Sequence, residues 1–83
     1  MDSVPLMREG ETNPMKRIRE VLGLTQLKFA HLLGLDPNAV SRWERGYGTP
    51  KFTIGQVKVL VEALEEKGYG LKDLPDDLNP IGL

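Results

Sequence analysis

Arg42 and Arg45 flank Trp43, the only tryptophan of the 83-residue chain, in the stretch VSRWERGYGTP at positions 40–50. Two guanidiniums beside an indole suit two kinds of chemistry. The indole could stack on an exposed base of a single strand. Alternatively, the stretch closes a helix whose tryptophan points inward while its arginines face a polyanion. The three-residue step from Val40 to Trp43 places both on one helical face and favours the inward reading. Catalytic constellations are hard to assemble. No serine or threonine stands in a signature with a base, and the glycines at 46 and 48 lack the Lys-Ser/Thr that follows in a phosphate-binding loop. With no cysteine and one histidine, His31, thiolate and imidazole zinc patterns fall away. No metal, no cofactor and no enzymatic activity are expected; His31 reads as a surface residue.

The net charge of −1 argues weakly against a nucleic-acid partner, but its distribution does not. Residues 1–15 have a balance of −2 and residues 52–83 one of −3. The centre, residues 16–51, carries seven basic side chains against Glu20, Asp36 and Glu44, a balance of +4. Screening confines such a field to about 10 Å at moderate salt, so the local balance is what a ligand meets. No secretory leader and no apolar run of membrane-spanning length is present, and the absence of cysteine suits a reducing compartment. A soluble, cytoplasmic, nucleoid-associated protein is expected.

The elements that must hold these residues read as helices, because helical spacing recurs and strand alternation does not. Asn13 caps a first helix with Pro14 at its first position, and Met15, Ile18, Val21 and Leu22 form its apolar stripe up to Gly23. Thr25 caps a second, QLKFAHLL, broken by Gly34. Asp36 followed by Pro37 starts a third, which stops at Gly46. Thr53 and Gln56 fit a capping box for a fourth, with Ile54, Val57, Leu60, Val61 and Leu64 as its stripe. Leu71 and Leu74 suit one last short helix. The two middle helices are too short to survive alone and need tertiary packing. The expectation is an all-α, compact bundle of about five short helices with a helix-turn-helix at its centre. Residues 1–12 read as a flexible segment, 13–74 as the domain and 75–83 as a tail.

GLTQLKFAHLLGLDPNAVSRWERG resembles the lambda-repressor-like, Xre-type family of helix-turn-helix DNA-binding domains, which includes phage repressors and Cro-like proteins. The resemblance covers roughly residues 14–74. It rests on Gln26 at the start of the motif, the small Ala30 four positions on, and Gly34 in the turn. Apolar residues follow at Phe29, Leu33, Leu35, Val40 and Trp43, with Glu44 and Gly46 closing the second helix. It implies that the helix 37–44 enters the major groove of double-stranded DNA and that Glu44 pairs with Arg19. It also implies a homodimer on a palindromic operator, with half-sites about 34 Å apart.

Within that frame, Arg42 is the first candidate for reading bases, since a guanidinium donates bidentately to guanine. Asn38 matches adenine, Ser41 can meet base or phosphate, and Pro37 offers only an apolar contact. Gln26, with the free N–H groups of its helix, Tyr47, Thr49 and Lys51 are expected on phosphates, with Lys28 and Arg45 as further candidates. Asp36 reads as a cap first and a cytosine reader second. Arg19, Glu44, Trp43, Ala30 and Gly34 are structural. The function expected is a bacterial or phage transcriptional regulator, a repressor acting by operator occupancy. The rival is an antitoxin-like module that binds a partner protein such as a toxin and regulates its own operon, for which Leu78, Ile81 and Leu83 would be available.

Overall fold

A computed structural model describes residues 4–78. Four α-helices follow in order: α1 Pro14–Val21, α2 Gln26–Leu33, α3 Pro37–Glu44 and α4 Ile54–Glu65. The fifth expected helix is a single 3-10 turn at Leu71–Asp73, because Pro75 and the short apolar pair allow no further turn. The described residues contain no strand.

Each helix starts where a side chain can take up a free backbone donor. Asn13, Thr25, Asp36 and Thr53 accept from the N–H groups of Lys16, Lys28, Asn38 and Gln56. In α4 the box is reciprocal: Gln56 Oε1 accepts from the Thr53 N–H at 2.9 Å. The helices around the turn also stop alike. Gly34, at φ 67°, lets the Leu35 N–H reach back to the Ala30 carbonyl at 2.8 Å. Gly46, at φ 87°, does the same for the Tyr47 N–H and the Arg42 carbonyl at 2.8 Å. Both satisfy carbonyls that the helix end would leave open.

The core is built from Met15 and Ile18 of α1, Phe29, Ala30 and Leu33 of α2, Val40 of α3, and Leu60 and Leu64 of α4. Helix α2 packs on α3 and on α4, and α1 packs on α3. Fully buried Ala30 leaves room for α2 to approach its neighbours. Gln56 adds a cross-tie, donating from Nε2 to the Leu33 carbonyl at 2.9 Å.

Three expectations change here. Residues 1–12 were expected to be flexible, yet Leu6 is 1% exposed within the core and its carbonyl accepts from Arg17 Nε at 2.8 Å. The Tyr69 hydroxyl also donates to the Val4 carbonyl, joining the two ends of the described chain. Ile54, placed in the α4 stripe, is 76% exposed, because the first turn of α4 runs past the surface that the other helices cover. Leu78, expected to be free for a partner, packs half-buried against the core. Ile81 and Leu83 lie outside the described residues.

Candidate nucleic-acid interface

Helix α3 is anchored on one side and open on the other. Ala39, Val40 and Glu44 are buried, while Pro37, Asn38, Arg42 and Arg45 are exposed and Ser41 is half-buried. Helical spacing sets residues 38, 41, 42 and 45 on one outer face, opposite Val40. The Asp36 carboxylate accepts from the Asn38 backbone N–H at 2.8 Å, so it is engaged as the cap of α3. The Arg42 guanidinium makes no hydrogen bond or ion pair among the described residues. It can deliver all its donors to a ligand.

Trp43 is half-buried rather than enclosed. Its indole packs against the core and meets the Phe52 ring edge-on, with centroids 5.8 Å apart and planes at 73°. A Cβ at Gly48 would lie 3.8 Å from the indole Nε1, so the loop after α3 runs close over the ring. An indole sandwiched between core, Phe52 and loop has little face to offer a base. The inward direction was legible from spacing; the reach of the ring beyond the core edge was not.

Glu44 is the buried centre that fixes the helices around this face. Its carboxylate accepts from Arg19 Nε at 2.7 Å and Nη2 at 3.0 Å, and from Gln26 Nε2 at 3.1 Å. Arg19 also donates through Nη1 to the Leu24 carbonyl at 2.9 Å. The Glu44 hydrogen bond, opposed in part by burial, holds the Arg19 guanidinium above its already high range. The bidentate pair satisfies a carboxylate that would otherwise be costly to bury. Asn13 completes the centre, donating from Nδ2 to the Glu44 carbonyl at 2.8 Å. The same Asn13 caps α1, so one residue starts one helix and secures the end of another. That second role had no signal in sequence, because the partner lies 31 positions away.

The expected phosphate residues divide into three groups. Gln26 is half-buried and one amide N–H is committed to Glu44, which leaves the other and the first N–H groups of α2 open. Arg45 is exposed, donates from Nε to the Ser41 carbonyl at 3.3 Å, and lies over the Tyr47 ring at 5.6 Å. Stacking fixes its plane while its terminal nitrogens stay free. Lys28, Thr49 and Lys51 are exposed, and their side chains make no ion pair among the described residues. The structure therefore ties Gln26 to the end of α3 and Arg45 to Tyr47. Among the described residues, no side-chain hydrogen bond or ion pair joins these groups to Lys28 or Lys51.

Among the described residues, no cluster of three or more histidine or acidic side chains could hold a metal ion, and no helix is long and apolar enough to cross a membrane. The helix-turn-helix family model matches residues 15–56, the span from the first turn of α1 to the capping box of α4. The chain belongs to the Xre/lambda-repressor-like helix-turn-helix family. That family is one of DNA-binding transcription regulators, a fold not typically enzymatic. Comparison with curated proteins and with solved structures finds no match.

Proposed function

We propose that this protein recognises a specific double-stranded DNA sequence and acts as a transcriptional repressor by occupying an operator. Helix α3 enters the major groove, Arg42 and Asn38 read base edges, and Ser41 and Pro37 support them at the groove wall. Gln26 with the start of α2, the Arg45–Tyr47 pair, Thr49, Lys51 and Lys28 contact phosphates and fix the register. The observation that carries this reading is the division of α3. Its inner residues are locked into the core and the Glu44 centre, while Asn38 and Arg42 stand exposed with no competing partner. A rigid helix with free base-reading groups needs no rearrangement to bind. Two protomers on a palindrome would place their α3 helices about 34 Å apart.

Selection of bound sequences from a random duplex pool tests the proposal, with enrichment of a common motif as the expected result. Arg42→Ala should cost about 1–3 kcal/mol on the selected site and much less on random duplex. Equal losses on both would reassign Arg42 to phosphate. The antitoxin-like reading predicts instead that no sequence is enriched and that affinity stays flat with salt. Phosphate contacts predict a log–log slope of about −0.9 for each one.

A further inference from the structure

We propose that Asn13 is a positioning residue for base reading, which holds the last turn of α3 against the start of α1 and so fixes the pose in which Asn38 and Arg42 meet DNA. The final carbonyls of a helix have no partner within it. At the end of α3 the carbonyls of Ser41, Arg42 and Trp43 take backbone donors from Arg45, Gly46 and Tyr47. The Glu44 carbonyl instead takes the Asn13 side chain, whose Nδ2 lies 2.8 Å away. Asn13 is itself held. Its Oδ1 accepts from the Lys16 N–H at 3.3 Å, and its own N–H donates to Glu11 Oε2 at 3.2 Å. Glu11 is in turn paired with Arg8 at 3.1 Å. A run of polar contacts thus leads from the amino-terminal segment to the end of α3.

Two features separate this tie from an ordinary cap. The first is residue choice. Serine and aspartate cap a helix about as well as asparagine. Only the amide carries an acceptor for the Lys16 N–H and, on the same short planar group, a donor for a carbonyl. The second is what the tie grips. Arg19 and Gln26 reach Glu44 through its carboxylate, at the end of rotatable bonds, whereas Asn13 holds the backbone of α3 directly. Asn13 and Arg19 are also separated by about 9 Å along α1, so the end of α3 is gripped at two points and cannot pivot about one. Arg42 stands half a turn before this anchor. Side chains that read base edges need placement within about 0.5 Å, while long exposed cations on phosphates follow small shifts. The role in base reading rests on the DNA-binding proposal; the tie itself does not.

Asn13→Ser is the first test, since serine keeps the cap of α1 and is too short to reach the Glu44 carbonyl. In the full chain, hydrogen exchange of the Gly46 and Tyr47 N–H groups, which close α3, should quicken about three- to tenfold. The Leu35 N–H, which closes α2 in the same way, should not change. Asn13→Asp sets acceptor against acceptor, so the same two amides should exchange faster still. Affinity of Asn13→Ser for the selected duplex should fall about three- to tenfold, while that for random duplex stays within about twofold at an unchanged salt slope. Both duplexes are compared at a temperature where circular dichroism shows every protein fully folded, so lost stability alone moves neither affinity. Unchanged exchange at Gly46 and Tyr47 overturns the proposal. So does a selected-site affinity that survives Asn13→Ser, or an equal loss on both duplexes. A wild type without duplex affinity at low salt removes the DNA reading and the base-reading role with it; quickened exchange would then leave the tie as a structural one.

Discussion

At the scale of single residues, the most consequential group is a carboxylate that touches no ligand. Glu44 receives four hydrogen bonds from three residues: two from Arg19 and one from Gln26 to its carboxylate, and one from Asn13 to its carbonyl. Glu44→Gln keeps the shape but turns one acceptor atom into a donor facing donors. The expected loss is about 2–3 kcal/mol, read from the urea midpoint at unchanged slope. Gln26 also loses its fixed partner, so DNA affinity should fall with the salt slope little changed, since an uncharged amide neutralises no phosphate. Glu11 makes a smaller, pH-dependent contribution. Burial alone would raise its pKa, but hydrogen bonds from the Asn13 N–H and Arg8, with the charges of Arg8 and Arg17, hold it below the ordinary value. A lowered folded-state pKa adds stability that is present above the unfolded pKa and lost as pH falls through the folded one. The urea midpoints of wild type and Glu11→Gln should therefore differ at about pH 6 and converge towards about pH 3.

At the scale of elements, the starts of the four α-helices and the glycine stops of α2 and α3 were legible because each signal is local. A cap lies two or three positions from the donor it satisfies, and a proline fixes the first turn without reference to the rest of the fold. What covers a helix face is not local. The α4 stripe gave Ile54 and Leu60 the same apolar mark, yet one is 76% exposed and the other 2%. Periodicity reports a face, while its coverage depends on where the neighbouring helices end. Trp43 shows the same limit, since spacing gave its direction and the Phe52 contact its surroundings. The site followed the same rule. The exposed face of α3 could be drawn from helical phase, whereas the commitment of Gln26 to Glu44 joins positions 18 apart and has no periodic trace. Asp36 offers a test at this scale, because it caps α3 yet sets a negative charge beside the proposed DNA face. Asparagine caps about as well as aspartate, so Asp36→Asn should leave stability within about 0.5 kcal/mol. DNA affinity should rise at low salt and converge with wild type at high salt, as removal of a repulsive charge requires. Fluorescence anisotropy with a labelled duplex reads both arms.

At the scale of the whole molecule, four short helices make a small core, and the amino-terminal segment supplies part of it. Leu6 stands among the largest fully buried side chains, beside Phe29, Met15 and Ile18. Val4 and Pro5 are exposed and Met7 is only partly buried against the core, so Leu6 is the one fully buried side chain among residues 4–12. Arg17 holds the Leu6 carbonyl, and Tyr69 holds that of Val4. The segment thus closes over α1 and meets the turn that follows α4. No periodic pattern announced this, since one leucine between polar and proline residues looks like an unstructured lead-in. The arrangement makes a sharp demand on stability. Leu6→Ala removes a buried side chain and should cost about 2–4 kcal/mol, the lower end applying if the segment collapses onto the space. For a domain of this length, that lowers the melting temperature by about 10–20 °C. A surface change in the same segment, such as Val4→Ala, should shift it by less than about 3 °C, since Val4 is 57% exposed and its carbonyl bond to Tyr69 survives. Equal, small shifts from both substitutions would mean that the segment is not part of the cooperative unit. A large shift from Leu6→Ala alone makes residues 4–12 as much a part of the DNA-binding domain as its four helices. The domain boundary at residue 13 would then move to the amino-terminal side of Leu6.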